Sequence, residues 1–205
     1  MNGVEMTAPL TVLTAIAGGI VLAACSGLRA FLPLLGVGLA GRFGHWPLAS
    51  SVQWLGSDPA LIALGVATLV EIVADKVPIV DHGLDVIHTV LGPVAAVLVS
   101  VSAWSQLSPQ HALLLSIITG VPLAAGVHAL SAGLRLTSTG TTGGLANPFL
   151  SIGEDTLTGV SVILAFVAPI AAIILVLLAV IWMVRRWRQR RRARVTPTAV
   201  APPIR

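Results

Sequence analysis

Six carboxylates stand beside apolar runs (Glu71, Asp75, Asp81, Asp85, Glu154 and Asp155), with Arg29, Lys76 and Arg135 near them in sequence or in analogous positions. A charge within or beside a membrane span costs about 2.5 to 3.5 kcal/mol at mid-membrane on insertion scales, so such groups face a cavity or one another. Glu71 and Asp75 are four residues apart and share a helical face; Asp81, Asp85 and His88 share another by similar spacing. Two chemistries fit. In one, the carboxylates bind a cation or a proton while Arg29 and Arg135 hold an anionic group. Hard oxygen ligands suit a divalent cation such as Mg²⁺ or Ca²⁺, and His88 beside Asp81 and Asp85 would admit a transition metal. In the other, acids and bases pair at the membrane surface and cap helices, with Asp81, Glu154 and Asp155 in first turns, where the helix dipole favours acids.

Other polar residues have plainer readings. His128 lies inside an apolar run, where an interhelical hydrogen bond or a proton relay would use it. The run Gly140-Thr141-Thr142-Gly143-Gly144 lacks the spacing of a phosphate-binding P-loop and reads as a loop. The lone Cys25 permits no intramolecular disulfide and no cysteine-based metal site.

The elements that must position these residues are membrane spans. The 205 residues are 56% hydrophobic and 10% charged, against roughly 25% charged in soluble domains. Mean hydropathy is +0.95. The net charge of +4 would invite a nucleic-acid reading if it were spread over the chain. It is concentrated instead. Eight of twelve basic residues follow Val184, leaving Arg29, Arg42, Lys76 and Arg135 against eight acids before it. A basic segment abutting a span, with Trp182 and Trp187, suits anionic lipid headgroups and topology, and no nucleic-acid partner is expected. The first ten residues carry only Glu5 and lack the basic start of a signal peptide, so the first apolar run is expected to be retained.

Five spans are expected in an all-α polytopic bundle with broken helices: Ala8–Leu28, Ala60–Ala74, Asp81–Trp104, His111–Leu134 and Gly153–Val184. The apolar run resumes from Ala30 to Arg42, and Pro33 predicts a kink or break near Arg29; a full hairpin there would make six spans. Gly41–Pro59 reads as an interfacial loop, Ser105–Gln110 as a short turn and Arg135–Ser151 as a polar loop. Residues 1–184 then form one transmembrane domain, with halves 10–104 and 111–184, and 185–205 a basic tail expected to be disordered. The arginines of that tail place the C-terminus in the cytoplasm, and five spans place the N-terminus outside. Small residues such as Gly18, Gly19, Ala23 and Ala24 suit close helix packing.

A weak internal repeat is visible at an offset of seventy. Pro78 through Val90 lies over Pro148 through Val160 with Pro, Gly, Asp and Val in register, and Gly27-Leu28-Arg29 is echoed by Gly133-Leu134-Arg135. Repeats of this kind often bracket a binding site at broken helices. On five spans, Asp85 and Asp155 fall together on the outer side, away from the tail.

Three motifs in order, Gly27-Leu28-Arg29-Ala30-Phe31-Leu32-Pro33, then Glu71-x3-Asp75-Lys76-x-Pro78-x2-Asp81-x3-Asp85, then Gly143-Gly144-Leu145-x-Asn147-Pro148-x2-Ser151-x2-Glu154-Asp155, resemble bacterial membrane proteins of domain-of-unknown-function family 4126. The resemblance covers about residues 12 to 184. It implies that these are the family's recognisable residues, Asn147 among them, and a bacterial cytoplasmic membrane; it carries no activity. The expected function is a small transporter or channel-like protein for an ion or small polar solute. The alternatives are a non-catalytic subunit of a larger membrane assembly, or a homo-oligomer, and a metal-dependent enzyme acting on a lipid phosphate. No paired catalytic signature for hydrolysis or phosphoryl transfer is present to favour the last.

Overall fold

The computed structural model describes residues 3–44, 46–76 and 78–195, excepting the side chains of 3–11, 78–82, 84–85 and 190–195. Among the described residues there is no strand. The helices are α1 (Gly3–Ser26), α2 (Phe31–Phe43), α3 (Asp58–Ala74), α4 (Pro78–Ala103), α5 (Pro109–Leu115), α6 (Val121–Thr142), α7 (Asn147–Val167) and α8 (Pro169–Val195). Among the described residues, four segments are long and apolar enough to cross a membrane: Val86–Ala103, Pro109–Thr142, Asn147–Val167 and Pro169–Gln189. A fifth results if the 3₁₀ turn Ser50–Gly56 and α3, bent by 69°, count as one span. Val12–Ser26 and Phe31–Phe43 are shorter apolar helices of the same bundle.

Helix α1 is the axis of the bundle, packing on α4, α6, α7 and α8. Its small residues allow that approach. A Cβ on Gly27 would overlap the Ala124 carbonyl of α6, and one on Gly19 would overlap the Trp104 indole. Val21, Leu22, Cys25, Val99, Val162 and Ala165 fill the main core around it. Helix α3 is peripheral, with α2 as its main neighbour, and turns Ile62, Val66, Leu69 and Val73 outward, as a lipid-facing helix does.

The break near Arg29 is present. The chain leaves α1 after Ser26 and re-enters helix at Phe31, so Pro33 sits in the first turn of α2, where its missing N–H costs nothing. Three expected boundaries are corrected. The polar stretch after Arg135 continues α6 to Thr142, because Thr137, Thr139, Thr141 and Thr142 each donate to the carbonyl four residues back, and Gly143, at φ 63°, ends it. The region 41–59 is partly helical, holding the end of α2, the 3₁₀ turn and the first residues of α3. Finally, Gly153–Val184 is not one span. Pro169 supplies no N–H, and Ala168 before it leaves the helical region at φ −148°, ψ 71°.

That last correction reverses the placement of the site. Phe149 and Gly153 of α7 share a pocket wall with Trp182 and Met183 of α8, so the two helices are antiparallel. Trp187 lies against Gly133. The start of α7, the second half of α6 and the end of α8 therefore meet at one end of the bundle. Asp155 stands at the same end as the arginine-rich segment, not the opposite one. Helix α8 runs through Val184 as far as Val195, with the Arg186 guanidinium 5.4 Å from the Trp182 ring one turn earlier; residues 196–205 lie outside the described residues. Of the echoed segments, Pro78 and Pro148 both stand at helix starts, whereas Gly27-Leu28-Arg29 forms a turn and Gly133-Leu134-Arg135 lies inside α6.

Candidate functional site

One turn, one helix end and two helices converge at the end of the bundle that carries the arginine-rich segment. Arg29 projects from the α1–α2 turn, Asp75 and Lys76 follow the last turn of α3, Arg135 comes from α6, and Glu154 and Asp155 come from α7. The two acids of α7 stand two turns inside a helix that begins at Asn147, too far for the first-turn dipole to account for them. What accounts for them is cationic side chains.

The Arg29 guanidinium donates through Nη1 to Asp75 Oδ2, through Nε to Asp155 Oδ1 at 2.6 Å and through Nη2 to Ser151 Oγ at 3.0 Å. Arg135 Nη2 donates to the same Asp75 oxygen at 2.8 Å and to Glu154 Oε2. Lys76 Nζ donates to Asp155 Oδ2 at 2.8 Å and to the Ile72 carbonyl at 2.7 Å. Hydroxyls complete the set: Ser131 donates to Glu154, and Ser151 donates to Asp75 at 3.3 Å. Three cations thus meet three carboxylates. Asp75 serves Arg29 and Arg135, and Asp155 serves Arg29 and Lys76, so the pairs form a chain rather than isolated bridges.

Exposure is graded along that chain. The Lys76 side chain is 34% exposed and Asp155 17%, whereas Asp75 is 3% and Arg29 1%. Removing one partner of a buried pair costs about 3 to 5 kcal/mol, because the other charge is stranded in a low dielectric. The chain of pairs is therefore a strong tie between α1, α3, α6 and α7, with one accessible lip.

Glu71, one turn before Asp75, does a different job. Its carboxylate accepts the backbone N–H of Ala30 at 2.8 Å and of Phe31 at 3.3 Å, capping α2 from a neighbouring helix. No side chain of the α1–α2 turn caps those donors. His88 Nε2 lies 2.5 Å from Glu71 Oε1 without hydrogen-bond alignment. Behind it, the His128 ring stacks on His88 at 6.0 Å and meets Thr89 Oγ1 at 3.4 Å.

Of the residues expected from the sequence, Arg29, Asp75, Lys76, Arg135, Glu154 and Asp155 come together, and Glu71 adjoins them. Asn147 does not join: its Nδ2 donates to Thr139 Oγ1 at 3.0 Å and ties the α6–α7 turn. The side chains of Asp81 and Asp85, which the sequence groups with His88, lie outside the described residues; His88 lies against Glu71. Among the described residues no three His, Cys, Asp or Glu side chains are grouped to hold a metal ion. Sequence reasoning missed Ser131, and had Ser151 only as a residue of the family motif. Both carried a signal, since each stands four residues before a charged member, Arg135 and Asp155, on the same helical face.

No curated protein and no solved structure matches the chain. One family model does, described as a domain of unknown function (DUF4126), over residues 16–189. That match includes every helix supplying the cluster, so the chain belongs to the DUF4126 family.

Proposed function

We propose that the chain is a multi-pass protein of a bacterial cytoplasmic membrane that passes a small ion or polar solute, with the charged cluster as its binding site. The observation that carries this reading is the graded chain of shared ion pairs, from the accessible Lys76–Asp155 lip to the buried Arg29–Asp75–Arg135 centre. Because Asp75 and Asp155 each serve two cations, a charged solute can replace one contact at a time while every fixed charge keeps a partner. Such stepwise exchange avoids the cost of an unpaired buried charge. A purely structural tie needs no accessible end.

The arginines after Val184 favour the cytoplasm, which assigns the lip to that side. Reconstitution in liposomes containing ion-sensitive dyes tests the reading, one ion gradient at a time. Flux above that of empty liposomes, with lipid composition unchanged, supports it. A chemically altered lipid would instead indicate an enzyme, and stoichiometric co-purifying proteins a subunit of a larger assembly.

A further inference from the structure

Helices α6, α7 and α8 leave a pocket of about 180 Å³ between them, walled by Leu134, Phe149, Leu157, Ala179, Trp182 and Met183. An apolar cavity of about 150 Å³ takes a six-carbon ring, so the space suits a short length of hydrocarbon chain. The one charged residue on its wall is Glu154, whose carboxylate already accepts from Ser131 and Arg135. Phe149 and Trp182 are exposed, so the pocket opens on the outside of the bundle, toward lipid.

The mouth of the pocket is cationic. Ala179, Trp182, Met183 and Arg186 follow at helical intervals of three and four and share one face of α8, and the Arg186 guanidinium lies 5.4 Å from the Trp182 ring. Arg185, Arg186 and Arg188 are all exposed. Glu154 and Asp155, the last acids in the sequence, are held by Arg135, Arg29 and Lys76, and no acid follows them. The arginines therefore present an excess of positive charge beside an apolar opening. A helix rises about 10 Å from Ala179 to Arg186, so a group held at the level of the arginines can send a chain down into the pocket. Trp182 and Trp187 suit that level, since tryptophan favours the headgroup region of a bilayer.

We propose that this pocket binds one anionic phospholipid, with its phosphate at Arg185 and Arg186 and one acyl chain entering between α7 and α8 beneath Trp182. A zwitterionic lipid offers the same chain without the net charge, and free phosphate offers the charge without the chain. The site goes beyond a basic segment adsorbed to an anionic surface, which needs no pocket. It is also independent of whether the charged cluster passes ions. A chain in it covers the α7–α8 flank of Glu154 with hydrocarbon.

The test uses the full chain in phosphatidylcholine vesicles containing a rising fraction of phosphatidylglycerol brominated in its acyl chains, which quenches a tryptophan it touches. The Trp182 signal is the difference between the chain and its Trp182→Phe variant. Each arginine near an anionic headgroup is worth about a fivefold preference, so half-maximal quenching should need at least about fivefold less brominated phosphatidylglycerol than brominated phosphatidylcholine. Replacing Arg185 and Arg186 together by Gln should bring the two lipids level. Gly153 lines the pocket and a Cβ there meets nothing within 4 Å, so Gly153→Leu introduces a side chain into the space. It should remove the preference at Trp182, whereas Gly159→Leu, equally open on the same helix but away from the pocket, should keep it. Equal quenching of the unaltered chain by both lipids would overturn the site without recourse to any variant. A preference retained in Gly153→Leu would overturn the pocket in favour of surface adsorption. Were a second copy of the chain to fill it instead, neither lipid would quench Trp182 and cross-linked dimers would be lost in Gly153→Leu, which also counts against the proposal. None of these readouts uses flux.

Discussion

Replacing Asp75 by Asn removes the carboxylate that Arg29 and Arg135 share while keeping its shape. Arg29 retains Asp155 and Ser151, and Arg135 retains Glu154, but three buried or half-buried cations then face two carboxylates. The cost expected for breaking a buried pair is about 3 to 5 kcal/mol, a large share of the roughly 5 to 15 kcal/mol that holds a domain folded. Arg29→Gln alone should cost a similar amount, since it leaves buried Asp75 to Arg135 alone and Asp155 to Lys76 alone. The double variant restores equal numbers of charges, so its loss should fall short of the sum by up to about 3 kcal/mol, the range for residues in one network. Denaturant unfolding in a fixed detergent, monitored by helical circular dichroism, gives all four corners of the cycle. Strict additivity, or single losses under about 1 kcal/mol such as exposed bridges show, would refute the shared-pair network.

Three further outcomes are expected. Glu71→Ala strips the cap from α2 and should cost about 1 to 2 kcal/mol, with faster hydrogen exchange at Ala30 and Phe31, whereas Glu71→Gln retains an acceptor and should lose less; equal exchange in both variants would argue against capping. Gly27→Ala should destabilise by driving a methyl into the Ala124 carbonyl, while Gly126→Ala, with open space around it, should be neutral or slightly stabilising in the same unfolding assay. Replacing Arg190, Arg191 and Arg192 by Lys should leave membrane insertion unchanged, and replacement by Glu should reduce it, since each basic residue contributes about 1 kcal/mol toward anionic lipid; equal loss in both would indicate a partner that reads arginine itself.

The membrane helices and most of the charged cluster were legible because their signals are local: long apolar runs, acids four apart and arginines beside breaks. Arg29 and Arg135 stand in echoed Gly-Leu-Arg motifs, and both reach the α7 acids although one sits in a turn and the other inside a helix. What the sequence hid was direction. Pro93 lies within α4, which runs on unbroken, whereas Pro169 separates two antiparallel helices, and the local sequence Pro-x-Ala-Ala is the same at both. The difference is tertiary, since α7 and α8 pack on each other and α1 receives both. Treating 153–184 as one span carried the α7 acids to the wrong end relative to the tail. The role of Glu71 was hidden for a similar reason, because it caps a helix forty residues away.

The most direct test of the charged cluster as a site of passage is flux through liposomes containing the wild type and Asp155→Asn. Asp155 is the half-buried link between Lys76 at the lip and Arg29 at the centre, and its loss leaves the deeper Asp75 pairs in place. Wild-type liposomes should pass at least one small ion faster than empty ones, and Asp155→Asn should lose most of that flux while its unfolding midpoint shifts less than that of Asp75→Asn. Unchanged flux in the variant, or wild-type liposomes no leakier than empty ones across the ions tried, would contradict the account.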